Sequence, residues 1–85
     1  MEIKTFEDLV IWQRSFRLAV SVYKEFITSK SFSVRDQLIK SALSVPSNIS
    51  EGFERESNKE YIRFLDIAKG SLGELRTQLL FAQEV

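Results

Sequence analysis

The sequence contains neither cysteine nor histidine among its 85 residues. The absence of cysteine excludes disulfides, thiolate nucleophiles and thiolate metal ligands. The absence of histidine removes the side chain that most often acts as a general base or metal ligand near neutral pH. We therefore predict a protein that is not an enzyme, with no catalytic residue, no metal site and no cofactor.

The sequence also lacks an excess of charge, since twelve basic side chains balance twelve acidic ones. No overall field attracts nucleic acid or a membrane, so any such binding must come from local clustering. There is no long apolar run that predicts a membrane span. The opening Met1-Glu2-Ile3-Lys4 does not resemble a signal peptide. We expect a cytoplasmic protein with no membrane partner.

Proline and glycine are scarce, with one and three residues respectively. Apolar residues recur at helical spacing, and no strand pattern competes with them. A chain of this length buries only about 60% to 65% of its unfolded surface and has one modest core. We predict a single all-α domain over residues 1–85, with three long helices at approximately 6–27, 34–52 and 58–84.

The first predicted helix follows a cap at Thr5 and carries two apolar rows on different faces. Its main stripe consists of Leu9, Trp12, Phe16, Ala19, Val20, Tyr23 and Ile27. The second row consists of Ile11, Ser15, Leu18 and Val22. One small bundle covers only one of these faces. The sequence therefore predicts that Ile11, Leu18 and Val22 lie in a contact between subunits.

The remaining face of this helix is basic, because Arg14, Arg17 and Lys24 follow one another without an interleaved acid. One hypothesis is that these three side chains contact nucleic-acid phosphates. The alternative is an ordinary solvated helix face. The sequence leaves both open.

The second predicted helix contains the only proline. Residues 28–32 lack periodicity and are typical of a connection, with Phe32 placed against the helix ends and Ser33 as the cap. Pro46 removes a backbone donor and costs about 3 kcal/mol in a regular helix interior, so a kink or break is expected near it. Glycine is favoured just past a helix end, which places the end near Gly52.

A polar row runs beside the apolar stripe of this helix and faces polar residues of the third helix. The predicted network comprises Ser44, Asn48, Glu51, Ser71, Glu74 and Gln78. We interpret it as structural, because buried polar networks fix the register of helices. The alternative is a functional site, in which Glu51 and Glu74 form an acid pair.

The third predicted helix begins with a capping box, Ser57-Asn58-Lys59-Glu60. Two glycines lie opposite its apolar stripe, where each costs roughly 1 kcal/mol relative to alanine. We predict a subunit contact there, formed by Gly70, Gly73, Thr77 and Phe81. The alternative is that the glycines are tolerated surface residues.

No stop signal follows Phe81, so the third helix is expected to run to the end of the sequence. After the third helix, this sequence has no further residues that could form a fourth helix. Two explanations stay open: the chain is a fragment or a short protein of its kind, or a neighbouring chain covers the groove.

Three motifs of this sequence resemble those of a known family. They are F-x-x-L-x-x-W from Phe6, S-V-P-x-N-I-x-E-G from Ser44 and Y-I-x-F-L-x-x-A-x-G-S-L-x-E-L from Tyr61. The chain is similar to the four-helix-bundle family of proteins encoded in intervening sequences of bacterial 23S rRNA genes. That family also includes the accessory variability determinant of diversity-generating retroelements.

The resemblance implies an up-and-down antiparallel bundle that assembles as a ring-like homo-oligomer, a homopentamer. It also implies a non-catalytic scaffold or binding protein that contacts RNA or a nucleic-acid-processing protein. The retroelement relatives are expected to be strongly basic, and this chain is not. The alternative function is a protein–protein interaction adaptor that binds no nucleic acid.

Overall fold

The computed structural model describes residues 2–85 and confirms an all-helical protein. A short 3₁₀ turn at Phe6–Asp8 precedes three α-helices: α1 at Val10–Phe26, α2 at Phe32–Glu54 and α3 at Asn58–Glu84. The described chain contains no β-strand. None of its helices combines the length and apolar character needed to cross a membrane.

The three helices pack as part of a bundle, with α2 between the other two. In residues 2–85, no Cα atom of α1 lies within 8 Å of one of α3, whereas α2 contacts both helices. Two buried clusters join the elements, one around Leu38 and Leu75 and the other around Val45, Ile49 and Ala68. Each helix therefore runs antiparallel to the next one in the chain.

The core face of α1 differs from the predicted stripe. The buried residues of α1 are Ser15, Ala19 and Val22, which are small or medium-sized. The hydroxyl of Ser15 donates a hydrogen bond to the carbonyl of Trp12, so this buried hydroxyl keeps a hydrogen-bond partner. Small residues at a helix contact allow the axes to approach closely. The placement of Val22 in a subunit contact was therefore wrong, because it is 5% exposed within its own subunit.

The first helix does not begin at residue 6. The carboxylate of Asp8 accepts hydrogen bonds from the backbone N–H groups of Lys4 and Thr5, at 2.9 and 3.1 Å. These bonds lower the pKa of Asp8, because they favour its charged form. Leu9 then adopts an extended conformation, with φ −75° and ψ 125°, and separates the 3₁₀ turn from α1.

The second helix starts earlier and ends later than predicted. Its N-cap is Ser31, so Ser33 lies inside the helix. Phe32 is its first residue and is 62% exposed, with the guanidinium of Arg35 4.7 Å from its ring centre. The ring therefore packs beneath a cation at the surface and does not fill the space between helix ends.

Pro46 lies inside α2, and the helix continues through it without a break. The proline is buried, so its ring contributes to the packing. Around it, the side chains of Ser44 and Asn48 donate to the carbonyls of Ser41 and Ser44, at 2.9 and 2.7 Å. Neither bond reaches the carbonyl of Ala42, which Pro46 deprives of its backbone donor, so these side chains do not replace the lost bond; burial of the proline ring is the favourable term that opposes its cost.

Gly52 serves close packing and does not end α2. A Cβ atom at this position would lie 2.7 Å from the Cβ of Phe64 and 3.2 Å from Cδ1 of Tyr61. No glycine of the described chain has a positive φ, and α2 continues to Glu54. The glycine is required because α3 crosses α2 here without room for a side chain.

The N-terminus of α3 is capped by one half of the predicted capping box. The hydroxyl of Ser57 accepts a hydrogen bond from the backbone N–H of Glu60 at 3.1 Å. The Glu60 carboxylate does not return the bond and instead accepts from the guanidinium of Arg63 at 3.0 Å. This hydrogen bond lowers the pKa of Glu60 and raises that of Arg63.

The close approach at Gly52 gives a test of the fold. We expect Gly52→Ala to lower the free energy of unfolding by about 1 to 3 kcal/mol, because α2 and α3 must move apart. A Cβ at Gly70 would meet no atom of its own subunit within 4 Å, so at concentrations that keep the chain monomeric Gly70→Ala should instead add about 0.5 to 1 kcal/mol. Urea unfolding at matched protein concentration measures both. Equal stability of Gly52→Ala and the parent would contradict this packing.

Candidate binding surfaces

A polar cluster lies along one side of the contact between α2 and α3. In this cluster, the hydroxyl of Ser41 donates a short hydrogen bond of 2.8 Å to the carboxylate of Glu74. Ser41 is 4% exposed. The Gln78 side chain donates to Gln37 at a longer 3.5 Å, and its own side-chain oxygen is buried without a partner in the described residues. Ser41 and Glu74 therefore form the strongest polar link between these helices.

The predicted network is only partly assembled. Ser44, Ser71, Glu74 and Gln78 line one depression, while Asn48 bonds within its own helix to the carbonyl of Ser44. Glu51 takes no part, because its carboxylate pairs with Arg55 one turn along α2, at 3.0 Å. The sequence assigned Glu51 a partner on α3, and this was wrong. Ser41, which belongs to the same polar row, provides the contact instead.

The structure also separates the proposed acid pair. The Glu51 carboxylate pairs with a guanidinium on α2, and the Glu74 carboxylate accepts from a serine hydroxyl. Ser41, the partner of Glu74, lies ten residues before Glu51 on α2, or about 15 Å at the rise of an α-helix, so the two carboxylates do not meet. Across residues 2–85, no group of three or more carboxylates is placed to hold a metal ion.

An exposed apolar ridge runs along α1, on the side away from α3. We name it the α1 ridge; it consists of Phe16, Val20, Tyr23 and Ile27, which are between 36% and 50% exposed. Their helical spacing predicted that all four lie in the core. Instead, they lie on α1 beside the buried Ser15, Ala19 and Val22. Successive ridge residues are three or four positions apart, so they follow one another about once per helical turn. A monomer rarely leaves such a continuous apolar row to solvent, so the ridge is a candidate contact surface.

A second apolar surface is the open space between α1 and α3, which we name the α1–α3 groove. Its walls and floor include Ile11, Leu18, Val45, Ile49, Leu65 and Leu72. The groove extends along α3 past Leu72 to Leu79 and Gln83. Ile11 and Leu18, predicted at a subunit interface, thus line a groove between helices of one subunit.

The remaining predicted interface residues lie on α3. Gly70, Gly73, Thr77 and Phe81 are exposed, and Phe81 is 56% exposed. A Cβ atom at either glycine would meet nothing within 4 Å. The Thr77 hydroxyl donates to the carbonyl of Gly73 at 3.2 Å and stays on its own helix. This outer face of α3 is exposed and borders two depressions, because Gly73 also lines the α1–α3 groove and Thr77 and Phe81 line a depression between α2 and α3.

The basic residues of α1 are exposed. Arg14 lines the α1–α3 groove, whereas Arg17 and Lys24 do not. None of the three forms an ion pair, the pairs in the described chain being Lys4–Glu2, Arg35–Asp36, Arg55–Glu51 and Arg63–Glu60. The groove also has two cations on α3, Lys69 and Arg76, which the sequence analysis missed. Their seven-residue spacing was the available signal, because it places both on one helix face.

The Ser41–Glu74 hydrogen bond gives a test of the polar cluster. Ser41→Ala should lower the free energy of unfolding by about 1 to 2 kcal/mol, because a buried bond to a carboxylate is lost. A double-mutant cycle with Glu74→Ala should give a coupling energy of about 0.5 to 1.5 kcal/mol. The control, Glu51→Ala, removes an exposed ion pair and should cost under about 0.5 kcal/mol. A larger effect at Glu51 than at Ser41 would contradict the assignment.

Comparisons with known proteins give one family. Residues 7–85 match the family described as 23S rRNA-intervening sequence protein. No curated protein and no solved structure matches the chain. The match spans all three helices and all the surfaces described above.

Proposed function

The chain belongs to the family of 23S rRNA-intervening sequence proteins, and from this premise we propose that it is a non-catalytic scaffold that assembles with copies of itself. The observation that carries the proposal is the exposed α1 ridge. An apolar row of four side chains is stabilised by burial, at about 25 cal/mol per Å² of apolar area removed from water. We place this role in the cytoplasm.

The arrangement of surfaces supports a head-to-tail contact. α1 and α3 are the two edges of the subunit, because α2 lies between them. The ridge on α1 is bulky, with Phe16 and Tyr23, whereas the outer face of α3 has no side chain at Gly70 and Gly73. Two different complementary faces on one subunit make a heterologous contact, which closes into a ring when the rotation permits. The family resemblance implies five subunits.

A non-catalytic role is supported by the chemistry of the side chains. The sequence has no histidine and no cysteine. The two acids considered for catalysis, Glu51 and Glu74, are engaged with Arg55 and Ser41. Because each carboxylate is bound to a nearby side chain of the fold, neither is placed as a catalytic acid or base, and this favours a binding protein over an enzyme.

RNA, or a protein that processes nucleic acid, is the partner that the family resemblance implies. What supports RNA in the structure is the exposure of Arg17 and Lys24 and their freedom from ion pairs within residues 2–85. A ring would repeat these cations around its axis and multiply a weak contact. The alternative is a protein–protein adaptor, which the neutral net charge favours.

Self-assembly is tested at the ridge. The double variant Val20→Glu/Tyr23→Glu places two charges in the contact, so the mass measured by light scattering should fall from about five times that of one chain to that of one chain, 9.9 kDa. The control is Val10→Glu, on the same helix and 60% exposed but outside the ridge. A parent chain that is monomeric at micromolar concentration would overturn the scaffold.

RNA binding is tested on the cations of α1. Fluorescence anisotropy with single-stranded and structured RNA should show binding that weakens with salt, each phosphate contact adding about 0.7 to 0.9 to the logarithmic slope. Arg17→Glu/Lys24→Glu should weaken binding and reduce this slope. Lys59→Glu, at an exposed position on α3, controls for charge alone. Absence of binding by the parent at low salt would leave the adaptor function.

A further inference from the structure

We propose that ion pairs fix the contact between two copies of this chain, with Arg17 and Lys24 on α1 of one copy meeting Asp66 and Glu74 on α3 of the next. This contact rests on the self-assembly proposed above. It adds the charged side chains that select the partner face and set the register of the two helices.

The two cations border the α1 ridge along one side. Arg17 follows Phe16 in the chain and Lys24 follows Tyr23, so each cation lies about 100° around the helix from an aromatic side chain of the ridge. Both cations are exposed, and neither belongs to an ion pair in residues 2–85. The opposite flank of the ridge turns into the buried face of α1. A surface that packs on the ridge therefore meets positive charge along one edge.

The two acids lie on the outer face of α3, one helical turn to either side of Gly70. Asp66 precedes this glycine by four residues and Glu74 follows it by four, so the three residues share a face. Both acids are exposed. Asp66 has no ion-pair partner within the described chain. Glu74 accepts a hydrogen bond from Ser41 at one carboxylate oxygen, and a carboxylate has room for further donors.

The spacing of the acids matches that of the cations. Arg17 and Lys24 are seven residues apart, which corresponds to about 10 Å along α1. Asp66 and Glu74 are eight residues apart, or about 12 Å along α3. Long basic side chains cover the small difference, so two pairs form in the same contact.

The cations of α3 do not cancel this acidic face. Arg63 is already paired with Glu60, at 3.0 Å. Lys69 and Arg76 line the α1–α3 groove, which runs along a neighbouring face of the helix. Lys59 lies about two turns before Asp66, near the start of α3. Around the two glycines, the outer face therefore presents acid to a second copy.

The charges also explain why the contact joins α1 to α3. Two α1 ridges packed on each other would bring the same cations together, and this repulsion opposes a symmetric dimer. An apolar ridge that repeats every turn does not by itself select one register. Flanking ion pairs do so where helices pack, and they also set the orientation of the partner. The result is a head-to-tail contact, which is the kind that a ring requires.

This use of Arg17 and Lys24 bears on the two functions considered above. In the assembled protein both cations are occupied by acids of the next copy. RNA phosphates would have to compete with the contact for the same side chains. The assembled form is therefore better suited to the protein–protein adaptor function than to RNA binding through this row.

The first experiment reverses each set of charges in turn. Arg17→Glu/Lys24→Glu and Asp66→Lys/Glu74→Lys each place like charges in the contact, so each should be monomeric at a concentration where the parent is assembled. The chain with all four changes has opposite charges again and should regain the parent's mass in light scattering. It should not co-purify with affinity-tagged parent, because every contact between the two chains brings like charges together.

A milder variant keeps the fold intact. Glu74→Gln retains a side-chain oxygen that accepts from Ser41, so Asp66→Asn/Glu74→Gln removes the charges without removing this bond. At low salt it should raise the concentration needed for assembly about tenfold or more. The parent's assembly should weaken as salt rises, because salt screens exposed ion pairs, and the neutral variant should lose this dependence.

Charge reversals in the connections between helices serve as controls. Lys30→Glu and Glu56→Lys change exposed residues outside the contact and should leave the assembled mass unchanged. Circular dichroism checks that each variant keeps its helices. A monomeric parent would overturn the self-assembly and the ion pairs together. An assembled parent whose mass survives both double reversals, or a folded four-change chain that stays monomeric, would overturn the ion pairs alone.

Discussion

The packing of α2 against both other helices is the constraint on which the structure depends. In residues 2–85 no Cα atom of α1 lies within 8 Å of one of α3, so α2 is the main support of both helices, while Ala19 and Val22 share a buried cluster with Leu75. Gly52 and the buried Leu75 fix α3 at close range, and the small residues Ser15 and Ala19 fix α1. Three helices joined through one shared neighbour leave an opening, and that opening is the α1–α3 groove.

The two sides of the α2–α3 contact differ in chemistry, since one side is polar and the other is apolar. On one side the Ser41–Glu74 bond links polar groups within the subunit. The other side presents an apolar floor bordered by Lys69 and Arg76, which form no ion pair in the described chain. Satisfied polar groups fix the register of two helices.

The surfaces proposed for self-assembly border the groove at Gly73, which is exposed on α3 and also lines the middle of the groove. The contacts assigned to assembly lie at the outer edges, on the α1 ridge and the outer face of α3. The groove lies between those edges and carries its own charges.

The sequence by itself determined the helices, their number and the cap at Ser57, because periodicity and capping act over a few residues. It also identified two apolar rows on α1 and the open glycines of α3. Only the tertiary structure decided that Ala19 of the main stripe and Ser15 and Val22 of the second row turn inward, which buried Val22 and exposed Tyr23. The periodicity of a helix gives the angles between its rows but not the direction of its neighbour. Gly52 and Glu51 were misassigned for the same reason, because their partners depend on where a second helix lies in space.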